Sequence, residues 1–338
     1  MSEPEQTEAA WTEADGEYAH GSPLVSCRID PTGTYLFTGG TDQRIVRWTL
    51  GSDDRADFVG HESWPWALAC DAAGSTFISG GYDERLIWWD LKASEPVPLR
   101  EVQAHAGWIR GVACDPQGQL VASAGNDHRV KLWSLADGAL VRELQGHESH
   151  VYNVAFTPDG QTVVSGDLKG VVREWQVADG VCIAERDASV LYKYDGGFRA
   201  DIGGTRGLAV SADGRYVAAS GITNVSNAFA GVGNAAVVLF DRESGESRVL
   251  KLKEDLRAVC WAIDFHPLGL VVGAISGGGG SFLVVWDLQG ETELWKLKLP
   301  QASRAMSLDN TARRVALAGY DGVARVYRLG EARPQPAA

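Results

Sequence analysis

The chain has 338 residues, of which 45% are hydrophobic and 22% are charged, a composition typical of a globular protein with a large buried core. Its formal net charge of −13 argues against general attraction to DNA, RNA or anionic lipid, because such binding normally needs a basic face. Five scattered cysteines without a CxxC pair indicate neither a disulfide framework nor a zinc site. We therefore predict no metal and no cofactor, and we consider nucleic acid only for a local patch.

The first ten residues are polar and acidic, and they contain neither the basic segment nor the apolar segment of a secretory signal. No run of about 18 apolar residues occurs in the chain, so we predict no membrane span and a cytoplasmic protein. We expect residues 1–10 to be a flexible segment, residues 11–330 to form one domain and residues 331–338 to be a disordered tail.

One pattern recurs seven times along the chain: two apolar strands separated by a turn with glycine, then a third strand that ends at an aromatic residue. These aromatic residues are Trp48, Trp89, Trp133, Trp175, Phe240, Trp286 and Tyr327. Their spacings of 41, 44, 42, 65, 46 and 41 residues agree with the ~40–45 residues of a four-stranded propeller blade, apart from one long interval. We predict an all-β protein with an insertion between Trp175 and Phe240.

Certain dipeptides mark the ends and beginnings of these repeats. They are Trp89-Asp90, Phe240-Asp241 and Trp286-Asp287 at the ends, and Gly60-His61 and Gly146-His147 at the beginnings. Together with the period, they resemble the WD-repeat (WD40-type) family over nearly the whole chain. The resemblance implies a seven-bladed β-propeller of four-stranded antiparallel blades. It also implies that the segment from about Trp11 to His20 supplies the outer strand of the last blade and closes the ring, which removes a free edge.

The resemblance further implies a hydrogen-bonded tetrad of His, Ser or Thr, Asp and Trp in the regular blades. The complete sets are His61, Ser79, Asp83 and Trp89, and His105, Ser123, Asp127 and Trp133, and the first blade offers His20, Thr38, Asp42 and Trp48. The fourth blade has His147, Ser165 and Trp175, but Lys169 stands where aspartate is expected, so we predict a broken tetrad unless Asp167 substitutes. Recurrence in several blades favours a structural role over a catalytic triad.

Alignment of the first strands places one residue of each blade on the same rim. We call this rim the top face, formed by the loops that open the repeats and the loops between second and third strands. The aligned residues are Val25, Trp66, Arg110, Tyr152, Arg206, Trp261 and Arg304. The residues just before the turn aspartates add Tyr82 and Tyr320, and Trp64 and Trp108 are close in sequence to the aligned set. Arg, Trp and Tyr dominate protein–protein hot spots, so we predict a binding rim. The alternative is that these side chains only fill the channel.

The long interval contains two extra segments, residues 190–199 and 223–234, and both should project from the top face beside each other. Their candidate contact residues are Tyr192, Tyr194, Phe198, Arg199 and Phe229. Such side chains suit an aromatic lip that grips a peptide. A neutral loop without a role in binding is the alternative.

These features favour an interaction scaffold that binds a protein or peptide partner on the top face. An acidic or phosphorylated segment would complement its arginines, since arginine pairs bidentately with carboxylate and phosphate. Two alternatives stay open: an enzyme with a site in the channel or under the fifth-blade insertion, and a local nucleic-acid patch. No nucleophile, base and oxyanion site can be assembled from unrepeated residues, so we predict no enzyme. A closed ring without a long edge favours a monomer.

Overall fold

Short apolar strands fold into seven four-stranded antiparallel sheets in the computed structural model, which describes residues 11–227 and 232–334. The strand β1 (Thr12–Ala19) begins the described chain, and blades 1 to 3 follow it. Blade 1 contains β2 (Leu24–Ile29), β3 (Tyr35–Gly40), β4 (Ile45–Thr49) and β5 (Arg55–Phe58). Blade 2 contains β6 (Pro65–Cys70), β7 (Thr76–Gly81), β8 (Arg85–Asp90) and β9 (Pro98–Gln103). Blade 3 contains β10 (Ile109–Cys114), β11 (Leu120–Gly125), β12 (Arg129–Ser134) and β13 (Leu140–Gln145).

Blade 4 contains β14 (Val151–Phe156), β15 (Thr162–Asp167), β16 (Val171–Gln176) and β17 (Cys182–Asp187). A 3₁₀ helix (Ser189–Leu191) and a hairpin of β18 (Tyr192–Asp195) and β19 (Ala200–Gly203) precede blade 5. Blade 5 contains β20 (Gly207–Val210), β21 (Tyr216–Asn227), β22 (Val232–Asp241) and β23 (Ser247–Leu250). Blade 6 contains β24 (Val259–His266), β25 (Leu270–Gly277), β26 (Gly280–Asp287) and β27 (Glu293–Lys298). Blade 7 contains β28 (Ser303–Leu308), β29 (Arg314–Gly319) and β30 (Val323–Leu329), with β1 as its fourth strand.

The ring closes through antiparallel pairing of β1 with β30, from Thr12 opposite Leu329 to Ala19 opposite Val323. This confirms the predicted closure by the N-terminal strand. Trp11 strengthens the join, because its buried indole N–H donates to the carbonyl of Ala332 at 2.8 Å. Because β1 pairs with β30, the outer edge of β30 is not left free. The two ends of the chain thus meet in blade 7 and hold the ring closed.

The ends of the chain are only partly covered by this description. The segment predicted to be flexible, residues 1–10, and residues 335–338 of the predicted tail lie outside the described residues. At the start of that tail, Arg333 donates to the carbonyls of Leu268 and Gly269 and forms an ion pair with Asp287 at 3.0 Å. Arg333 therefore contacts blade 6.

Apolar side chains fill the space between neighbouring blades. Between blades 1 and 2, Phe37 and Phe77 stack with ring centroids 4.0 Å apart, and Phe58 meets both rings edge-on. All three side chains are fully or almost fully buried. Aromatic pairs of this geometry add stabilisation beyond the area that they bury. Because both faces of each blade are covered in this way, ligands reach the ring at its two rims and its channel.

The predicted tetrads are present in blades 2 and 3. In blade 2, His61 lies 3.0 Å from Asp83 and 2.8 Å from Ser79, and Trp89 donates to the same serine at 2.9 Å. Blade 3 repeats the arrangement. Blade 1 also has it, with threonine in place of serine. Since histidine lies in the loop that opens the repeat and aspartate in the loop between second and third strands, these two loops share one rim.

The fourth tetrad is not broken at Lys169, because the predicted alternative, substitution by Asp167, is the one that occurs. Asp167 takes the missing place, and its carboxylate lies 2.8 Å from Nδ1 of His147. The equivalent residue in blade 2 is Gly81, where an added Cβ would clash with both His61 and Asp83. The two solutions therefore exclude each other sterically: either glycine makes room for an aspartate two residues later, or the aspartate itself stands at the glycine position.

Candidate partner-binding face

A β-bulge directs the predicted residues toward the channel mouth. In the first strands of six blades the pairing register skips one residue close to the top face. The skipped residues are Val25, Trp66, Arg110, Tyr152, Trp261 and Arg304. In blade 5, Arg206 directly precedes the first strand. Bulges release a residue from the ladder and re-aim its side chain, so the fold brings the aligned set together around the channel.

These side chains form a belt in which cations and aromatic rings alternate. The guanidinium of Arg110 lies 5.4 Å from the ring centroid of Trp66 and 4.9 Å from that of Tyr152. Tyr152 and Trp261 then flank Arg206, at 5.0 and 5.5 Å. All these distances fall within the range of cation–π attraction, which is about 6 Å.

The belt continues into blade 7. Arg304 lies 5.0 Å from the ring of Trp261 and 5.4 Å from that of Tyr320. Arg304 and Tyr320 are exposed, whereas Arg206 is only half-exposed. The three arginines therefore come from alternate blades, 3, 5 and 7, and the aromatic rings between them hold the guanidinium groups apart.

Beside the belt, four aromatic rings of blades 2 and 3 lie together. Tyr82 stacks on Trp108 with centroids 4.2 Å apart and planes 5° apart, and it also contacts Trp66 and Trp64. Trp64 and Trp108 keep 40% and 44% of their surface exposed. The loops hold this arrangement through the backbone, since Tyr82 donates its N–H to the carbonyl of Trp64 at 3.0 Å. Exposed tryptophan of this extent on a rigid support is a ready contact surface.

The arginines of the belt carry charge that no carboxylate balances locally. Within residues 11–227 and 232–334, Arg110, Arg206 and Arg304 have no Asp or Glu oxygen within 4.0 Å. Arg110 instead donates to the amide oxygen of Asn126 at 3.2 Å and to the phenol of Tyr82. Burial lowers the pKa of Arg206, although a nearby Tyr152 partly offsets the shift. Burial also raises the pKa of Tyr82 to about 12, so its phenol stays neutral beside Arg110 at ordinary pH.

The insertion in blade 5 forms two neighbouring hairpins. One is β18–β19, and the other is the long extension of β21 and β22. Lys193 connects them by donating to the carbonyl of Val225 at 2.6 Å, so the two segments are adjacent, as the sequence predicts. Tyr192 donates to Asp201 at 2.7 Å.

The predicted lip is therefore only partly described. Tyr194 and Phe198 are more than half exposed, and Arg199 is exposed. Phe229 lies outside the described residues. The hairpin precedes blade 5, and we treat its exposed side chains as a candidate surface in addition to the belt.

A family model described as "WD domain, G-beta repeat" matches residues 16–49, 53–90, 96–134 and 138–176. These matches span blades 1 to 4, and each begins with the outer strand of the preceding blade. Blades 5 to 7 repeat the same four-stranded order. The chain contains four WD40 repeats within a seven-bladed β-propeller. A search of curated proteins gives no significant match.

Propellers of the WD40 family are generally protein-interaction scaffolds and typically not enzymes. In this WD40 propeller the tetrads are found in blades 1 to 4, the same blades that the family model matches. Blade 6 differs: Trp286 donates to the backbone carbonyl of Lys251 at 2.9 Å. In blade 5 the aromatic marker is Phe240, which has no N–H to donate. The marker residues thus keep their packing role where the hydrogen-bonded tetrad is absent.

In the part of the chain that the structure describes, His, Cys, Asp and Glu do not gather in groups of three or more that could hold a metal ion. No helix among the described residues is long and apolar enough to cross a membrane.

Proposed function

We propose that the top face binds a segment of another protein that carries acidic or phosphorylated side chains. The observation that carries the proposal is the set Arg110, Arg206 and Arg304, three guanidinium groups around one opening without a carboxylate partner among the described residues. On a chain of net charge −13, such a local concentration of positive charge selects for an anionic group at this opening.

Arginine suits this role because its planar guanidinium donates two parallel hydrogen bonds to a carboxylate or phosphate. The aromatic rings on both sides of each arginine restrict its rotation, so less side-chain entropy is lost when a ligand binds. Trp64, Trp108 and Tyr320, which are 40%, 44% and 53% exposed, add apolar contact area next to the charges. A segment with one or more anionic side chains beside apolar ones fits both features.

The test compares partner capture by the wild-type protein and by two variants, Arg304→Glu and Trp108→Ala. Both side chains are exposed, so both variants should fold. The matched control is Arg313→Glu, which reverses the same charge in the same blade on the opposite rim, where Arg313 pairs with Glu331 at 3.2 Å. Affinity purification with quantitative mass spectrometry should give proteins that the wild type and the control retain and that both variants lose.

The captured proteins then provide the chemical test. Synthetic segments of a captured protein should bind the wild type at least tenfold more tightly than they bind Arg304→Glu, and phosphatase treatment or replacement of acidic residues should weaken binding by a similar factor. Equal capture by the wild type and both variants contradicts the proposal. Selective loss of nucleic acid, with a steep fall in affinity as salt rises, would assign the face to nucleic acid instead.

A further inference from the structure

The first strands of all seven blades line a central cavity of about 430 Å³ that begins at the belt and runs into the ring. Four blades place alanine at the same register position on this wall, three residues below the belt. These residues are Ala69, Ala113, Ala155 and Ala209. Their short side chains leave the middle of the ring unfilled, and the volume is that of a small-molecule site.

In two blades a charged residue occupies the position that is alanine in those four blades. Blade 1 has Arg28, and blade 6 has Asp264. Both also line a second cavity of about 450 Å³ on the opposite rim, beneath blades 5 to 7, so the two cavities meet at these residues. Arg28 is exposed to this space, although it lies within an otherwise buried strand. Neither residue is among the predicted site residues; a charged residue at a position where other first strands have alanine is the signal that identifies them.

The charges that line the central cavity are strongly unequal. The lining contains Arg28, Arg110, Arg206 and Arg304, against the single carboxylate of Asp264, and it contains no lysine or glutamate among the described residues. Arg28 has no carboxylate oxygen within 4.0 Å in the described ranges, so Asp264 does not neutralise it by direct pairing. Burial raises the pKa of Asp264, and Arg28 partly offsets that shift. The interior is therefore cationic in a chain with a net charge of −13.

Arg28 lies three strand residues from the level of the belt, which corresponds to about 10 Å along the strand. A ligand that contacts the belt arginines and Arg28 together is therefore elongated and has anionic groups near both ends. Low-dielectric walls concentrate the potential of the four guanidinium groups inside the ring, which favours such a ligand there.

We infer that the central channel binds a small molecule with two or more oxyanion groups, phosphates or carboxylates, held between the belt arginines and Arg28. The inference goes beyond the proposed function, because the ligand is a small molecule inside the ring and Arg28 lies away from the top face. It shares Arg110, Arg206 and Arg304 with that function, so the experiment relies on Arg28 and Asp264, which the partner segment on the top face does not need.

The experiment is isothermal titration of the full chain with two probes, inorganic tripolyphosphate and citrate. The variants are Arg28→Gln and Asp264→Asn, and the control is Arg313→Gln, which removes the same charge on the outer surface. We expect one bound probe per chain, about tenfold weaker binding to Arg28→Gln because one charge-assisted contact is lost, severalfold tighter binding to Asp264→Asn because the opposing charge is removed, and wild-type affinity for the control.

Binding of tripolyphosphate alone assigns a phosphate ligand, binding of citrate alone assigns a carboxylate ligand, and binding of both supports the shared chemistry. Failure of both probes to bind the wild type at millimolar concentration overturns the inference, as does unchanged affinity in Arg28→Gln. The opposite direction expected for Asp264→Asn keeps the test valid even if Arg28→Gln were to fold poorly. If neither probe binds while capture of a protein partner still depends on Arg304, the channel inference fails and the proposed function stands.

Discussion

Asp167 lies 2.8 Å from Nδ1 of His147, yet it comes two residues earlier in its repeat than the aspartates that meet histidine in blades 2 and 3. The same hydrogen bond is thus made from two different backbone positions. His147 is buried, so the carboxylate is needed wherever it comes from, because a buried ring nitrogen without a partner is costly.

Transfer of this carboxylate from position 167 to position 169 should restore the stability of blade 4 after Asp167 is removed. We expect Asp167→Gly to lower the free energy of unfolding by about 2–4 kcal/mol, because His147 loses its buried partner. The double variant Asp167→Gly/Lys169→Asp recreates the arrangement of blade 2 and should recover at least half of the loss. Urea denaturation of the two variants and of Lys169→Asp alone measures the effect. No recovery in the double variant would show that the two positions are not equivalent.

Large buried aromatic residues and exposed belt residues should differ sharply in their effect on stability. Trp133→Ala should cost about 3–5 kcal/mol, because it removes a buried indole and its 2.8 Å hydrogen bond to Ser123. Arg304→Gln should cost about 0.5 kcal/mol or less, because its side chain is exposed. Chemical denaturation under identical conditions gives both values. Similar losses from both substitutions would contradict the assignment of Arg304 to a surface that serves binding.

Removal of the N-terminal strand should open the ring. A chain that begins at residue 21 lacks Trp11 and β1, so the outer edge of β30 loses its partner and becomes available for pairing with other chains. We expect a lower melting temperature and concentration-dependent self-association in size-exclusion chromatography. A chain that begins at residue 11 is the control and should match the full chain. A monomeric, equally stable product from residue 21 would refute the role of β1.

Acid should weaken blade 2 through Asp83. Burial by itself would raise the pKa of this carboxyl, but hydrogen bonds from His61 and from the amides of Glu62 and Arg85 outweigh burial and lower the pKa to about 2 from 3.8. Because the folded pKa is depressed, the ionised carboxylate stabilises the fold above pH 4, and this contribution is lost as pH falls from about 4 to 2. Unfolding free energies should therefore fall less steeply in this window for Asp83→Asn than for the wild type. Asp53→Asn, in an exposed turn, should follow the wild type.

The fold could be predicted well from the sequence because the pattern of one blade recurs seven times. Each repeat contains the same strands, turns and aromatic marker, so an error in the interpretation of one repeat is corrected by the others. The long interval from Trp175 to Phe240 also located the insertion. Alignment of equivalent strands also predicted which side chains lie together on one rim, whereas their role in binding stays a prediction. Comparison of the repeats thus predicts which side chains are neighbours without any knowledge of the tertiary contacts.

What could not be predicted depends on contacts between residues far apart in sequence. Repeat alignment places the tetrad aspartate at position 169, where this chain has Lys169. The alignment could not show that Asp167 takes its place, because that depends on the space beside the histidine, which glycine leaves open in another blade. The bulges that turn Trp66 and Arg110 into the channel mouth have no local sequence signal. Arg28 and Asp264 were missed because each is unremarkable in its own strand, and their common cavity exists only when seven blades meet.

In six blades a bulge separates the part of the first strand that builds the ring from the residue that lies at the proposed binding face. Since a bulged residue takes no part in the ladder, its side chain can be exchanged without disturbing the pairing on either side. The top face then has six bulged positions that can vary on a constant frame, much like the loops of an antibody domain on its sheets. A change of partner at the proposed binding face then needs only single substitutions at these positions, and each leaves the strand pairing of the blades unchanged.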